Sequence, residues 1–84
     1  MDAREIRNTV MCKEKLLTDY RELLHKIAIS DTLIEMDNNQ AEAANLVRAM
    51  HAHRMLNEED VNNMLSTVNV FVFHQSRKIL EKYE

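Results

Sequence analysis

The chain lacks glycine, proline and tryptophan altogether, and Cys12 is the one cysteine among its 84 residues. Average usage would give roughly ten glycines and prolines in a chain of this length. Glycine supplies left-handed turns and close backbone approach to ligands. Its absence therefore excludes phosphate-cradling loops, the dinucleotide-binding fingerprint, the nucleophile elbow and the EF-hand calcium loop. A lone cysteine excludes an intrachain disulfide. We predict a chain that is not an enzyme and that needs no cofactor.

Strongly basic regions and long apolar runs are missing as well. The formal net charge is −3 and the pI is about 5.8. Nucleic-acid binders usually carry a basic face, so we expect no nucleic-acid partner. No apolar stretch reaches the eighteen or more residues that a membrane span requires, and the first five residues do not read as a secretion signal. We expect no membrane association and a cytoplasmic location.

Helical periodicity is the main positive feature of the sequence. With 45% hydrophobic and 30% charged residues, the chain is too apolar for a typical disordered protein. The periodicity predicts an all-α fold in which three helices pack in an antiparallel arrangement within one domain over residues 1–84. The first helix is predicted at about 3–36, a short second helix at 40–55 and a long third helix at 58–82. A small chain buries a limited share of its surface, and we expect dimerisation to complete this fold.

The boundary between the first two helices has two possible positions. Asp37-Asn38-Asn39 is a strong turn signal, and Asn39 with Glu42 fits a capping box. The alternative is a break at Ser30-Asp31, because these residues also cap helices. We predict the later break. The apolar stripe of the first helix then consists of Leu16, Tyr20, Leu23, Ile27 and Ile34.

The start of the third helix has the clearest local signal. Asn57 is a good N-cap, Asp60 occupies the N3 position, and Leu56 with Val61 fits a hydrophobic staple. Residues 68–73 are β-branched and aromatic, which also suits a strand, but no other segment offers a pairing partner, so we predict helix. The predicted inner faces are Ala43, Leu46, Val47 and Met50 in the second helix, and Val61, Leu65, Val68, Val72 and Ile79 in the third.

The third helix is apolar around most of its circumference at residues 68–73, as is typical of a helix buried on all sides. The short second helix cannot cover the full length of both neighbours, so we expect another polypeptide to cover the remainder. Phe71 and Phe73 lie about 200° apart on a helix, and we predict that one of them lies in an interface between chains. The predicted partner-binding residues are Met64, Val68, Val70, Phe71 and Phe73.

The favoured function is a protein–protein interaction module, such as an adaptor, a regulator or a co-chaperone. It would form a homodimer or a hetero-complex by packing an apolar helical face on a partner helix. One alternative is a dimeric nucleic-acid-binding regulator, with basic residues on the first helix at Arg4, Arg7, Lys13, Lys15 and Arg21. A second alternative is a metal-binding bundle, because Glu22 and His25 have the Glu-x-x-His spacing of dimetal helical proteins. The sequence has no second copy of that motif, and we predict no metal site.

Overall fold

A computed structural model of the chain describes residues 3–82, with the side chains of residues 13–82. It contains α1 (Ala3–Ala28), α2 (Leu33–Ala52) and α3 (Glu58–Glu81), and no strand occurs among residues 3–82. Each helix packs against the other two. Tyr20 of α1 bonds to Met64 of α3, and Ser30 bonds further along to Gln75, so α1 and α3 run in the same direction. The predicted all-α fold of three packed helices is confirmed. Dimerisation stays a prediction.

The core is formed by the apolar stripes that the periodicity indicates. Helix α2 contributes Ala43, Val47 and Met50, as predicted, and also Met36. Partly buried residues of all three helices, Leu16, Leu46, Leu65 and Val72 among them, pack around this centre. The buried apolar residues are Tyr20, Leu23, Ile27, Met36, Ala43, Val47, Met50, Leu56, Val68 and Ile79.

The first turn lies earlier than the predicted one. Helix α1 ends at Ala28 rather than near residue 36, and α2 begins at Leu33 rather than near residue 40. Thr32 is the N-cap of α2, and its hydroxyl oxygen accepts a hydrogen bond from the Glu35 N–H at 3.1 Å. The Glu35 carboxylate in turn accepts one from the Asp31 N–H at 3.3 Å. The capping pattern of Thr32 and Glu35 sets the start of α2.

The predicted turn at residues 37–39 is wrong, and Asn39 has a different role. It lies within α2, where its side-chain amide donates to the Lys26 carbonyl at 3.4 Å and to the Ser30 hydroxyl oxygen at 3.2 Å. The Ser30 hydroxyl also donates to the Lys26 carbonyl, at 2.7 Å. Two of these bonds satisfy the Lys26 carbonyl, a backbone acceptor that the end of α1 leaves free. Ile34 therefore belongs to the first turn of α2 and is 76% exposed, not part of the α1 stripe.

A buried polar residue of α3 joins this same corner. Gln75 is 6% exposed, and its side-chain amide donates to the Ser30 carbonyl at 2.6 Å. An exposed ion pair between Lys82 and Asp31, with 3.5 Å between the charged atoms, lies at the same end of the fold. Among the side chains of residues 13–82, no buried nitrogen or oxygen atom lacks a hydrogen-bond partner. The Gln75 bond fixes which face of α3 points inward.

The opposite end of α3 begins as predicted. The Asn57 side chain accepts a bond from the Asp60 N–H at 2.8 Å, and the Asp60 carboxylate accepts one from the Asn57 N–H at 3.3 Å. This is the predicted capping box. Leu56 is buried and Val61 packs against the core beside it. Helix α3 ends at Glu81, one residue short of the predicted bound.

The turn after α2 adopts a left-handed conformation without glycine. Arg54 has φ 60°, and it is the one non-glycine residue with positive φ in the part of the chain that the structure describes. Its N–H donates to the His51 carbonyl and the Met55 N–H donates to the Met50 carbonyl, both at 2.9 Å. These two bonds form a Schellman motif, whose left-handed position is usually glycine. Because Arg54 has a Cβ atom, this conformation carries strain.

Replacing Gln75 by methionine tests the polar corner. Gln75→Met keeps the side chain long and unbranched but leaves the Ser30 carbonyl without its donor, so we expect a loss of about 1–3 kcal/mol in the free energy of unfolding. Urea denaturation monitored by circular dichroism measures this loss. Asn62→Met, an exposed change on the same helix, is the control and should alter stability by no more than about 0.5 kcal/mol. Equal effects of the two variants would contradict this role of Gln75.

Replacing Arg54 by glycine tests the strained turn. Glycine relieves the Cβ strain but adds entropy to the unfolded chain, so we expect Arg54→Gly to stabilise the fold by about 0.5–1 kcal/mol. Thermal unfolding should show a rise in Tm of about 4 °C. Arg54→Ala removes the same charge while keeping the Cβ atom, and it should not raise the Tm. A rise with alanine as large as that with glycine would attribute the effect to the side chain rather than to backbone strain.

Candidate functional site

The five predicted partner-binding residues lie on two faces of α3. Val68 is 2% exposed and belongs to the core. Met64 and Phe71 are partly buried and pack against that core. Val70 and Phe73 point outward, with 52% and 58% of their surfaces exposed. Of the five, Val70 and Phe73 are therefore the exposed members, Met64 and Phe71 are partly covered, and Val68 is enclosed by the chain's own helices. Their role in binding a partner stays a prediction.

A hydrogen bond from α1 holds the helical turn of α3 that contains Met64 against the core. The Tyr20 hydroxyl donates to the Met64 carbonyl at 2.7 Å, across the contact between α1 and α3. Burial raises the pKa of Tyr20 above 10.0, and the nearby Thr67 hydroxyl partly offsets this rise. Burial thus favours the neutral phenol in the folded chain.

Two further residues extend the exposed part of the predicted set. Val70, Phe73, Arg77 and Leu80 are spaced three, four and three residues apart, which places all four on one helical face. Leu80 is 53% exposed. This face, called the outer stripe below, lies about 120–200° around the helix from buried Val68. This spacing is visible in the sequence, but neither Arg77 nor Leu80 was among the predicted partner-binding residues.

Phe73 is the centre of the outer stripe and has polar neighbours on its own helix. The Arg77 guanidinium carbon lies 5.8 Å from the centroid of the Phe73 ring, within the range of a cation–π interaction. The His74 ring meets Phe73 edge to face, with 5.8 Å between ring centroids. Residues 61–76 contain no Asp, Glu, Lys or Arg, so Arg77 is the first formal charge beside the ring.

A small groove runs between α1 and α3 beside the outer stripe. Its volume is ≈ 190 Å³, and it is lined by Ala28, Val70, Phe71, His74, Gln75 and Lys78. Small-molecule pockets usually enclose about 300–1,000 Å³. The groove is therefore small for a metabolite but has room for one apolar side chain of a macromolecule that packs on Val70.

A second exposed apolar patch lies at the connection between α1 and α2. Ile29, Leu33 and Ile34 are 58%, 40% and 76% exposed. Ile29 directly follows the last residue of α1, and Leu33 and Ile34 belong to the first turn of α2. They lack the helical repeat of the outer stripe, because the chain changes direction between Ile29 and Leu33. Because these residues are also exposed and apolar, substitutions among them serve as controls for substitutions in the outer stripe.

The candidate metal ligands of the sequence analysis lie at the surface. Glu22 and His25 line a shallow groove on α1 together with Thr18, Arg21 and Lys26. The two cations in this groove oppose the binding of a metal ion. No group of three His, Cys, Asp or Glu residues is arranged to hold a metal within the part of the chain that was searched. Cys12 lies outside the residues whose side chains are described.

The candidate basic residues do not form one face where the structure describes them. Lys13, Lys15 and Arg21 are all exposed, but Lys13 and Lys15 point about 200° apart around α1. Arg4 and Arg7 lie outside the residues with described side chains. As for membranes, a search of the described helices finds none with the length and apolar character that a span would need.

Comparison with known proteins finds no match: no family model, no curated protein and no solved structure is significantly similar to this chain. The fold and the site define an all-helical chain of three packed helices with an exposed apolar stripe on α3.

Replacing Tyr20 by phenylalanine tests the bond that positions Met64. We expect Tyr20→Phe to lower the free energy of unfolding at pH 7 by about 1 kcal/mol, because one buried hydrogen bond is lost. In the parent chain this stabilisation is complete below the ordinary tyrosine pKa of 10.0 and is lost as the pH rises through the raised pKa of folded Tyr20. Urea titrations at pH 7, 9 and 11 measure the difference.

The parent and the variant should therefore differ less in stability at pH 11 than at pH 7. Thr67→Val, which removes the neighbouring hydroxyl but keeps Tyr20, is the control and should retain the decline at high pH. A difference between parent and Tyr20→Phe that is the same at all three pH values would show that the phenol does not couple to folding.

Proposed function

We propose that the chain is a non-enzymatic interaction module that presents the outer stripe of α3 to a partner helix. The proposal rests on one observation. Val70, Phe73 and Leu80 are each more than half exposed on one face of a helix whose opposite face is already buried. Single exposed apolar residues are common on protein surfaces, but several of them on one helical face are typical of an interaction site. An adaptor, a regulator and a co-chaperone are the classes that such a surface suits.

The chemistry of the outer stripe specifies the kind of partner. Its spacing of three, four and three residues matches the apolar seam of a coiled coil, in which side chains of one helix fit between those of the other. The partner is therefore an amphipathic helix with an apolar seam. It places an aromatic or acidic side chain opposite Arg77, because a cation there would be repelled. A cytoplasmic location and the absence of catalysis are parts of the same proposal.

Site-specific photocross-linking tests this function. A benzoylphenylalanine introduced at Val70 is illuminated in an extract of the cells that produce the protein, and adducts are identified by mass spectrometry. The same probe at Arg48, which is exposed on α2, is the control. We expect an adduct with a helical segment, of this chain or of another protein, at position 70 and not at position 48.

A charge in the outer stripe provides the second arm of this experiment. Phe73→Asp places a carboxylate in the apolar seam and should reduce the adduct at position 70 about tenfold or more, which corresponds to about 1.4 kcal/mol of binding. Ile34→Asp adds the same charge to the other apolar patch and should leave the adduct intact. The proposal fails if positions 70 and 48 give equal adducts, or if the Phe73 substitution has no effect.

A further inference from the structure

The residues of the outer stripe are placed symmetrically along α3. Val70 and Leu80 each lie five residues from position 75, and Phe73 and Arg77 each lie two residues from it. Two antiparallel copies of α3 that cross at this level therefore bring every stripe residue opposite another stripe residue. Val70 of one chain faces Leu80 of the second copy, and Phe73 faces Arg77 of the second copy. A two-fold axis repeats both pairs.

We infer that the partner of the outer stripe is a second copy of this chain, packed antiparallel through α3 with Phe73 of each copy against Arg77 of the other. This inference rests on the proposed function and names its partner. Arg77 already lies 5.8 Å from the Phe73 ring of its own chain. In the dimer, the two rings and the two guanidinium groups alternate along the seam, and each cation contacts an aromatic face.

Charge distinguishes this arrangement from a parallel one. A parallel dimer places Arg77 against Arg77 of the second copy, where two like charges meet in an apolar seam. The antiparallel dimer places each Arg77 beside the segment 61–76, which contains no Asp, Glu, Lys or Arg. The residues that flank the seam in this segment include Asn69, His74 and Ser76, and none of them is Asp, Glu, Lys or Arg. The antiparallel dimer therefore brings no like charges together.

The size of the patch sets the expected affinity. The outer stripe runs from Val70 to Leu80, a rise of about 15 Å along the helix. This is a short interface beside the about 800 Å² per partner of a standard complex, so we expect a weak, transient dimer. The dimer and the monomer should exchange rapidly. A groove beside Val70, lined in part by Phe71 and Ala28, can take the edge of the opposing Leu80 side chain.

Sedimentation equilibrium of the full chain tests the dimer. The chain is measured from 5 to 500 µM at pH 8, with a reductant that prevents disulfides through Cys12. The parent chain should dimerise over this range. Phe73→Ser should raise the dissociation constant about 30-fold or more, as expected for a central aromatic anchor. Ile34→Ser, a change at a more exposed apolar residue outside the stripe, should leave it unchanged. Circular dichroism verifies that both variants fold.

Cross-linking tests the orientation of the two helices. In a Cys12→Ser background, Val70→Cys and Leu80→Cys chains are mixed in equal amounts and treated with a short bismaleimide. The antiparallel dimer yields mainly the mixed product between positions 70 and 80, well above the half that random pairing gives. Products between two chains of the same kind would dominate in a parallel dimer, and that result would overturn the inference.

The remaining outcomes separate this inference from the proposed function. In one outcome the chain is monomeric at 500 µM and still gives an adduct with another protein that depends on the outer stripe. That result contradicts the inferred homodimer but supports the proposed interaction module. A monomeric chain that gives no such adduct contradicts both the homodimer and the proposed function. A dimer that Phe73→Ser does not weaken shows that the two copies meet through another surface, and it also overturns the inference.

Discussion

The hydrogen bond from the buried Gln75 side chain to the Ser30 carbonyl decides how α3 is turned about its own axis. Helix α3 is apolar on more than one face, so hydrophobic burial alone allows several rotations with similar contact. A buried side-chain amide that must bond one particular carbonyl allows far fewer rotations of α3, because an unpaired polar group in the core is costly. Once Gln75 faces Ser30 at 2.6 Å, Val68 and Ile79 face the core, and Phe73 and Leu80 face outward. The candidate site is a consequence of this rotation.

The helices of the fold were largely predictable from the sequence, but the first turn was not. The start of α3 follows from local chemistry, since Asn57 and Asp60 satisfy each other's backbone groups. The first turn had two possible positions, a break at Ser30-Asp31 and one at Asp37-Asn38-Asn39, and the structure uses the capping pair of Thr32 and Glu35 just after the first. The pair in use is decided by a long-range contact, because Asn39 is needed inside α2 to bond Lys26 and Ser30. A local pattern cannot contain that information.

The candidate site was predictable in part, for a related reason. The periodicity indicated that α3 has more apolar surface than two neighbours can cover, and the predicted partner-binding residues within 68–73 were Val68, Val70, Phe71 and Phe73. The same periodicity also assigned Val68 to the inner face of the third helix, where the structure encloses it. It did not indicate that Phe71 packs against the core, because that depends on the positions of α1 and α2. Arg77 and Leu80 were missed because a charged residue interrupts the outer stripe. The burial of Gln75 could not be predicted either, since a glutamine is usually expected at the surface.

The same arginine explains how a chain with exposed apolar residues can be selective. An uninterrupted seam of valine, phenylalanine and leucine would pack on any apolar helix in either direction. A guanidinium in that seam is tolerated only where an aromatic face or a carboxylate meets it, because a buried cation without such a partner is destabilising. Phe73 supplies that face within the chain, at 5.8 Å from Arg77, so the isolated stripe is already partly compensated. A partner must offer an equal or better arrangement. This requirement excludes more partner helices than the apolar area of the stripe does.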